Sequence, residues 1–233
     1  MEELLISSFA ENKFAVGSGG RVIAVCYFVS ENNWWQCKHI KRPLRSTVTT
    51  VDWHPDNKVL VAGSTDYKVR VFSAFISDME DAPGNGPWGH SNTLGTLLAE
   101  FQNTPNGGTL FSFSFLSKML TNIFVNHIFF YLHVGGWIHS VVFSPCGNKI
   151  CWVAHNSSIC IADATKGNAV IRLYTEHLPF LSCVWMGSNS IIAVVFIYIF
   201  VFDNFQCKYI NHELSKILNN FLRDIVVCLC CIL

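Results

Sequence analysis

The chain has 233 residues, of which 51% are hydrophobic and only 14% are charged. Because soluble domains carry about 25% charged residues, this composition excludes an intrinsically disordered polyelectrolyte and predicts a folded core. Sixteen basic side chains balance sixteen acidic ones, so no net charge favours nucleic acid as a partner. The mean hydropathy of +0.34 keeps attachment to a membrane among the alternatives.

Ten cysteines are spread along the chain without a CxxC pair or a zinc-ligand spacing. Several of them fall in strand-like runs, where a free thiol behaves as a small apolar side chain. The first residues, MEELLISSFAENKF, are acidic and contain only a short apolar run, so no signal peptide is predicted. These features predict a cytoplasmic protein with reduced thiols and with neither a metal nor a cofactor.

A pattern of strands and turns recurs along the chain. In 51–73 an alternating strand ends at Trp53, Pro55 opens a turn, and two more strands flank a tight turn at Asp66. The pattern returns at an offset of 90, where the corresponding residues are Phe143, Pro145 and Asn156. Weaker copies cover 11–26 and 181–203, and fourth strands are predicted over 34–40, 95–101 and 169–174.

Four short strands per unit, repeated at a period in the forties, indicate the blades of a β-propeller. The segments VDWHPDNKVLVAGSTDYKVRVFSAFI and GGWIHSVVFSPCGN resemble the WD-repeat family, and within it the subunit 1 family of the actin-related protein 2/3 complex. The Trp-Asp dipeptide itself is missing. The resemblance implies a cytoplasmic, cytoskeletal propeller that binds the other subunits and helps to nucleate branched actin filaments.

This resemblance covers 9–108 and 135–195 and stops elsewhere. The segment 109–134 interrupts it with six phenylalanines and a single charged residue, and the likeness ends again near residue 196. We therefore expect an all-β fold over 9–203, a partial WD-repeat β-propeller of about three to four blades. At most two blades are expected to be whole. An amphipathic helix is predicted in a C-terminal helical tail, 204–233, from the spacing of its apolar residues.

Two alternatives follow from the atypical segments. The insert and the tail have a composition foreign to the repeats, which suggests a non-functional truncated product of an alternative transcript or of a faulty gene model. The apolar run 191–202 and a C-terminal C-a-a-X pattern at Cys230 suggest instead a membrane-attached protein. Because a spanning helix needs about 20 apolar residues and this run is rich in β-branched and aromatic ones, paired strands are preferred.

No catalytic or metal-binding arrangement is predicted from the sequence. The glycine-rich string 17–21 lies between two strands, where a hairpin turn is expected rather than a phosphate site. The residues His127, His133 and His139 are spaced by six, which does not match the spacing expected of metal ligands on a strand or on a helix. The sequence therefore favours a non-catalytic scaffold over an enzyme.

Two aromatic features are candidate partner-binding sites. Trp34 and Trp35 are adjacent, so on a strand they face opposite ways and one must leave the buried face. Basic residues follow them at Lys38, Lys41, Arg42 and Arg45, a combination typical of interface hot spots. The alternative is that one tryptophan packs against a neighbouring blade. Trp88, in the linker 77–94, has the same two interpretations.

Overall fold

A computed structural model describes most of the chain as antiparallel β-sheet. The described residues are 4–7, 12–77, 79–81, 84, 86–103, 136–174, 179–194, 199–203 and 206–209. They form four sheets of four strands each, and every strand pairs with its neighbours in chain order. This architecture confirms the prediction of a partial β-propeller, and we call the sheets blades 1 to 4.

Each blade is a meander of consecutive strands. Blade 1 contains β1 (Leu4–Ser7), β2 (Lys13–Gly17), β3 (Ile23–Val29) and β4 (Trp34–Ile40). Blade 2 contains β5 (Val48–Trp53), β6 (Val59–Ser64), β7 (Lys68–Ser73) and β8 (Leu97–Gln102). Blade 3 contains β9 (Ile138–Phe143), β10 (Lys149–Ala154), β11 (Ser158–Asp163) and β12 (Ala169–Tyr174). Blade 4 contains β13 (Ser182–Met186), β14 (Ser190–Val194), β15 (Ile199–Asp203) and β16 (Gln206–Tyr209).

The expectation that only two blades are whole was wrong. Leu4–Ser7 pairs with β2 and completes blade 1, although these residues lie before the region of resemblance. Ile199–Asp203 and Gln206–Tyr209 supply the last two strands of blade 4 from residues beyond the point where the resemblance ends. Strand pairing uses backbone groups that every residue except proline carries, so a strand can form where a family sequence pattern is absent.

The offset of 90 is visible in the backbone. The strands β5, β6 and β7 begin and end 90 residues before β9, β10 and β11. The turns after the first strands also match, since His54 N–H bonds Val59 O at 2.9 Å and Ser144 N–H bonds Lys149 O at 2.8 Å. The predicted strand 95–101 begins two residues later, at Leu97, because Gly95 has a positive φ of 79° that no strand can adopt.

The core lies between successive blades. The first strands of neighbouring blades run side by side, β1 against β5, β5 against β9 and β9 against β13. Blades 1 and 2 share an apolar cluster around Trp53, and blades 2 and 3 share another around Trp152, both of which are at most 1% exposed. A third cluster, between blades 3 and 4, contains Trp185. Each blade thus buries its apolar face only by packing against the next one.

Gly63 marks a close approach between blades 2 and 3. A Cβ atom at this position would lie 2.5 Å from Cγ2 of Ile138 and 2.7 Å from Cγ2 of Thr50. The corresponding residue of blade 3 is Val153, whose side chain is fully buried. The glycine therefore allows β6 to approach β9 at a distance that a side chain would prevent.

Several predictions concern residues outside the described part. The insert 109–134 and the helix predicted beyond residue 209 lie there, as does Cys230. The tail boundary at 204 needs correction, because residues 206–209 pair with β15 as a strand. Within the apolar run, 191–194 and 199–202 belong to paired strands. Among the residues that the structure describes, no helix is long and apolar enough to span a bilayer.

Candidate partner-binding surface

The most exposed aromatic side chains of blade 1 are at the start of its outermost strand. Trp34 is 72% exposed and Trp35 is 45% exposed. In the register of β4 they lie opposite Val29 and Phe28 of β3, so they project from opposite faces of the sheet. The prediction placed one tryptophan outside the buried face, whereas the structure leaves both of them substantially accessible.

Trp35 is held by the sheet that carries it. Its ring centroid lies 5.1 Å from that of Phe14 on β2 and 5.6 Å from that of Phe28 on β3. These tilted and edge-on contacts are the arrangements that aromatic pairs prefer. Trp35 thus packs against its own blade, which fixes the orientation of a ring that remains nearly half exposed.

The predicted basic residues lie within this strand and in the connection that follows it. The Lys38 ammonium lies 5.4 Å from the centroid of the Tyr27 ring, a cation–π contact. Lys41, Arg42 and Arg45 are exposed in the connection from β4 to β5. We call these four residues with Trp34 and Trp35 the Trp–basic surface. Because Glu31 is the single acidic residue between 30 and 46, the segment carries a local excess of positive charge.

Trp88 does not belong to an exposed surface, so of its two interpretations the structure excludes partner binding and shows packing against a neighbouring blade. It is 5% exposed, and its Nε1–H donates a 2.7 Å hydrogen bond to Gly147 O of blade 3. Its ring meets Phe101 and Phe143 edge to face, with centroids 6.2 and 6.1 Å away. Trp88 therefore connects the linker of blade 2 to blade 3. Local sequence patterns do not identify such a contact, because its partner is distant in the chain.

The residues predicted as repeat positions are structural. Trp53 and Phe143 end the first strands of blades 2 and 3 and are 1% and 7% exposed. Pro55 and Pro145 lie in the turns that follow. Asp66 accepts hydrogen bonds from the Ser64 hydroxyl and, at 2.6 Å, from Arg70 Nη2. Burial acts to raise the pKa of the Asp66 carboxyl, but hydrogen bonds from Arg70 and Ser64 outweigh it and lower that pKa.

Asn156 plays the equivalent role in blade 3 without charge. Its Oδ1 accepts hydrogen bonds from the Ser158 hydroxyl at 2.6 Å and from Asn103 Nδ2 at 3.2 Å. Asn103 follows the last strand of blade 2 and also donates to Gly136 O at 3.3 Å. The amide network therefore joins the end of blade 2 to the entrance of blade 3.

Two buried cations were missed by sequence analysis. Arg70 is 2% exposed and bonds Asp66 as well as Glu100, whose Oε2 lies 2.8 Å from Arg70 Nε. Lys13 is 1% exposed and pairs with Glu80 at 2.6 Å, while its ammonium also donates to Asn57 O at 2.6 Å. Burial lowers the pKa of Lys13 despite the opposing effect of Glu80. In the alternating strand patterns both cations fall at positions where an exposed side chain is expected, so nothing in the sequence indicated their burial.

One of the three histidines spaced by six, His139, contacts a further histidine that the spacing did not predict. His139 Nε2 lies 3.0 Å from His155 Nδ1, and burial together with His155 lowers the pKa of His139. His127 and His133 are outside the described residues. In the described part of the chain, histidine, cysteine and carboxylate side chains form no group of three that could hold a metal ion.

Comparison with known proteins places this geometry in a family. The WD domain, G-beta repeat model matches residues 35–73. Actin-related protein 2/3 complex subunit 1A-B of Xenopus laevis is 48% identical over 78% of this chain. Subunit 1 of the complex from Schizosaccharomyces pombe is 38% identical over 81%, and that from Saccharomyces cerevisiae is 33% identical over 78%. The chain is a WD-repeat protein homologous to subunit 1 of this complex.

The WD repeat of the sequence and the blade of the structure are offset from each other. Residues 35–73 contain β4 of blade 1 and then β5, β6 and β7 of blade 2. One sequence repeat therefore supplies strands to two neighbouring blades, and its continuous backbone connects them. The similarity covers 42% of the Xenopus protein, 43% of the S. pombe protein and 39% of the S. cerevisiae protein, so the chain spans less than half the length of these relatives.

Proposed function

We propose that this chain is a non-catalytic scaffold that assembles with other subunits of an actin-related protein 2/3 complex and so takes part in actin nucleation. The observation that carries the proposal is the 48% identity to a named subunit of that complex over 78% of the chain. By the same argument we infer that the chain acts in the cytoplasmic actin cytoskeleton, with complex subunits and actin filaments as its partners and regulation of actin polymerisation as its role.

The Trp–basic surface is our candidate for the contact with a neighbouring subunit. Tryptophan and arginine are enriched among the residues that dominate binding energies, and Trp34 is 72% exposed. The strand that carries the two tryptophans and Lys38 is paired along its length with β3, so these three residues are presented on a regular sheet strand. Its positive charge would favour a partner face of opposite sign and speed their encounter.

The proposal is tested by co-purification. A tagged copy of the chain is expressed in eukaryotic cells, and the subunits that it retains are quantified by mass spectrometry. We expect the chain to retain subunits of the complex and the variant Trp34→Ala with Trp35→Ala to retain at least tenfold less. Trp137→Ala is the matched control, because Trp137 is 49% exposed on blade 3, away from this surface.

Three outcomes would count against the proposal in different ways. Retention of no subunit above an unrelated propeller would refute the scaffold role. Equal retention by the wild type and the double variant would refute the Trp–basic surface while leaving the role intact. A loss of retention in the Trp137→Ala control would place the contact on blade 3. Circular dichroism of each purified variant checks that the sheets are preserved.

A further inference from the structure

Two cysteines of blade 1 lie directly across a strand pair. Cys26 on β3 is the register partner of Cys37 on β4, and their Sγ atoms are 3.1 Å apart. Residues directly opposite each other in antiparallel strands have Cα atoms about 4.5–5.5 Å apart. Disulfides span Cα separations of about 4.4–6.8 Å, so the backbone already has a spacing that a disulfide accepts. Closing the bond requires the sulfur atoms to approach each other by only about 1 Å.

The pair differs from the other described cysteines in access. Cys37 is exposed and Cys26 is partly exposed, whereas Cys151, Cys160 and Cys183 are buried. Cys146 is also exposed, but the partner of its sulfur is the Ser144 hydroxyl at 3.3 Å rather than a second thiol. A dissolved oxidant can therefore reach Cys37, and a second sulfur atom is already in position beside it.

We propose that Cys26 and Cys37 form a reversible thiol–disulfide site that is oxidised by hydrogen peroxide. The Cys37 thiolate attacks one peroxide oxygen, the O–O bond breaks, and the released hydroxide takes up a proton to leave as water. Cys26 then attacks the sulfenic sulfur of Cys37, the S–O bond breaks, and a second water molecule leaves with the Cys26 proton. The two thiols lose two electrons and the peroxide gains them.

The order of the two steps follows from the surroundings of each sulfur. Burial and the neighbouring Cys37 raise the pKa of Cys26 to about 12, so Cys26 is a protonated thiol at neutral pH. The exposed Cys37 is therefore the sulfur that meets the oxidant, and Cys26 resolves the sulfenic acid. Intracellular disulfides of this kind are transient, and reducing thiols would restore the pair.

The bond would act on the Trp–basic surface. Cys37 lies in the same strand as Trp35 and one residue before Lys38. A disulfide would tie this outermost strand covalently to β3 in the middle of the blade. Oxidation is therefore expected to restrict the strand that presents the candidate partner-binding residues.

Peptide mass spectrometry tests the proposal directly. The purified chain is treated with hydrogen peroxide, its remaining thiols are alkylated, and it is digested with trypsin. Cleavage after Arg21 and Lys38 releases one peptide, 22–38, whose cysteines are Cys26 and Cys37. We expect this peptide to appear unalkylated and lighter by two hydrogen atoms than its reduced form. Treatment with dithiothreitol before alkylation should restore two alkylated thiols.

Two variants and one unfolded control make the test decisive. In Cys26→Ser, Cys37 has no resolving partner and should gain oxygen atoms instead of losing hydrogen, while Cys37→Ser should leave Cys26 alkylated. In the urea-unfolded chain, the internal disulfide should form at least tenfold more slowly. The proposal is overturned if 22–38 stays reduced while the Cys146 peptide is oxidised, or if unfolding does not slow the reaction.

Discussion

Blades 2 and 3 build the same tight turn, with charged side chains in blade 2 and uncharged ones in blade 3. In blade 2 the turn residue is Asp66, which is bonded to the buried Arg70. In blade 3 the corresponding residues are Asn156 and Cys160, and the acceptor is satisfied by Ser158 and Asn103 instead. Register pairs Arg70 with Glu100 on the fourth strand of blade 2, whereas Cys160 is paired with Arg172. The arginine has moved from the third strand to the fourth.

This difference shows two ways to build the turn. In both blades a side-chain oxygen accepts hydrogen bonds beside the strand end, and it belongs to a carboxylate in blade 2 and to an amide in blade 3. A carboxylate in a half-buried position also needs a cation, because an unpaired buried charge is costly. Blade 2 therefore contains a linked ionic set and blade 3 a neutral one, and the two should respond differently to substitution and to pH.

The largest effect is expected from Arg70→Cys, which gives blade 2 the residue of blade 3. Asp66 and Glu100 would lose a cation that is 2% exposed, and breaking such a pair from one side destabilises by about 3 kcal/mol. The free energy of unfolding in urea measures this loss. Lys68→Met is the control, because Lys68 also pairs with Glu100, at 2.5 Å, but is 30% exposed at its side chain. A similar cost for both variants would contradict the distinction.

A smaller effect is expected from Asn103→Ala in the neutral network. The change removes the donor to Asn156 Oδ1 and to Gly136 O, and an unsatisfied buried acceptor costs about 1–2 kcal/mol. Because none of these groups titrates, the loss should be the same at pH 4 and pH 7. Asn92→Ala, at an exposed position, serves as the control for the substitution itself. A cost that changes with pH would show that a charged group takes part in this network.

The smallest effect at neutral pH is expected from Asp66→Asn, about 1 kcal/mol, since the amide keeps one acceptor for Ser64. The pKa of Asp66 lies below its ordinary value of 3.8 in the folded chain. Its ionised form therefore contributes stability that is fully present above the ordinary carboxyl range and is lost as pH falls through the folded pKa. Urea unfolding of both proteins between pH 7 and pH 2.5 should show their difference shrinking below about pH 4. A constant difference would refute the charged role of Asp66.

The alternating patterns predicted the positions of strands more reliably than the contacts that side chains make with distant residues. The predicted strands 34–40 and 169–174 match β4 and β12 residue for residue, because alternation and turn residues are local properties. The interpretation of Trp88 stayed open because its position depends on Gly147, which lies 59 residues away. The completeness of blades 1 and 4 was underestimated because Leu4–Ser7 and Gln206–Tyr209 form strands that are defined by pairing rather than by family motif.

The sequence by itself determined the repeat, most strands of the central blades and the WD-repeat class, since each depends on the spacing of nearby residues. Only the tertiary structure decided which side chains each blade buries. Lys13 and Arg70 lie in the core, while Trp34 and Trp35 remain outside it. It also decided that Cys26 and Cys37 meet across a strand pair. The physical reason is that burial depends on what the neighbouring strand and the neighbouring blade bring to each position, and that information is not local.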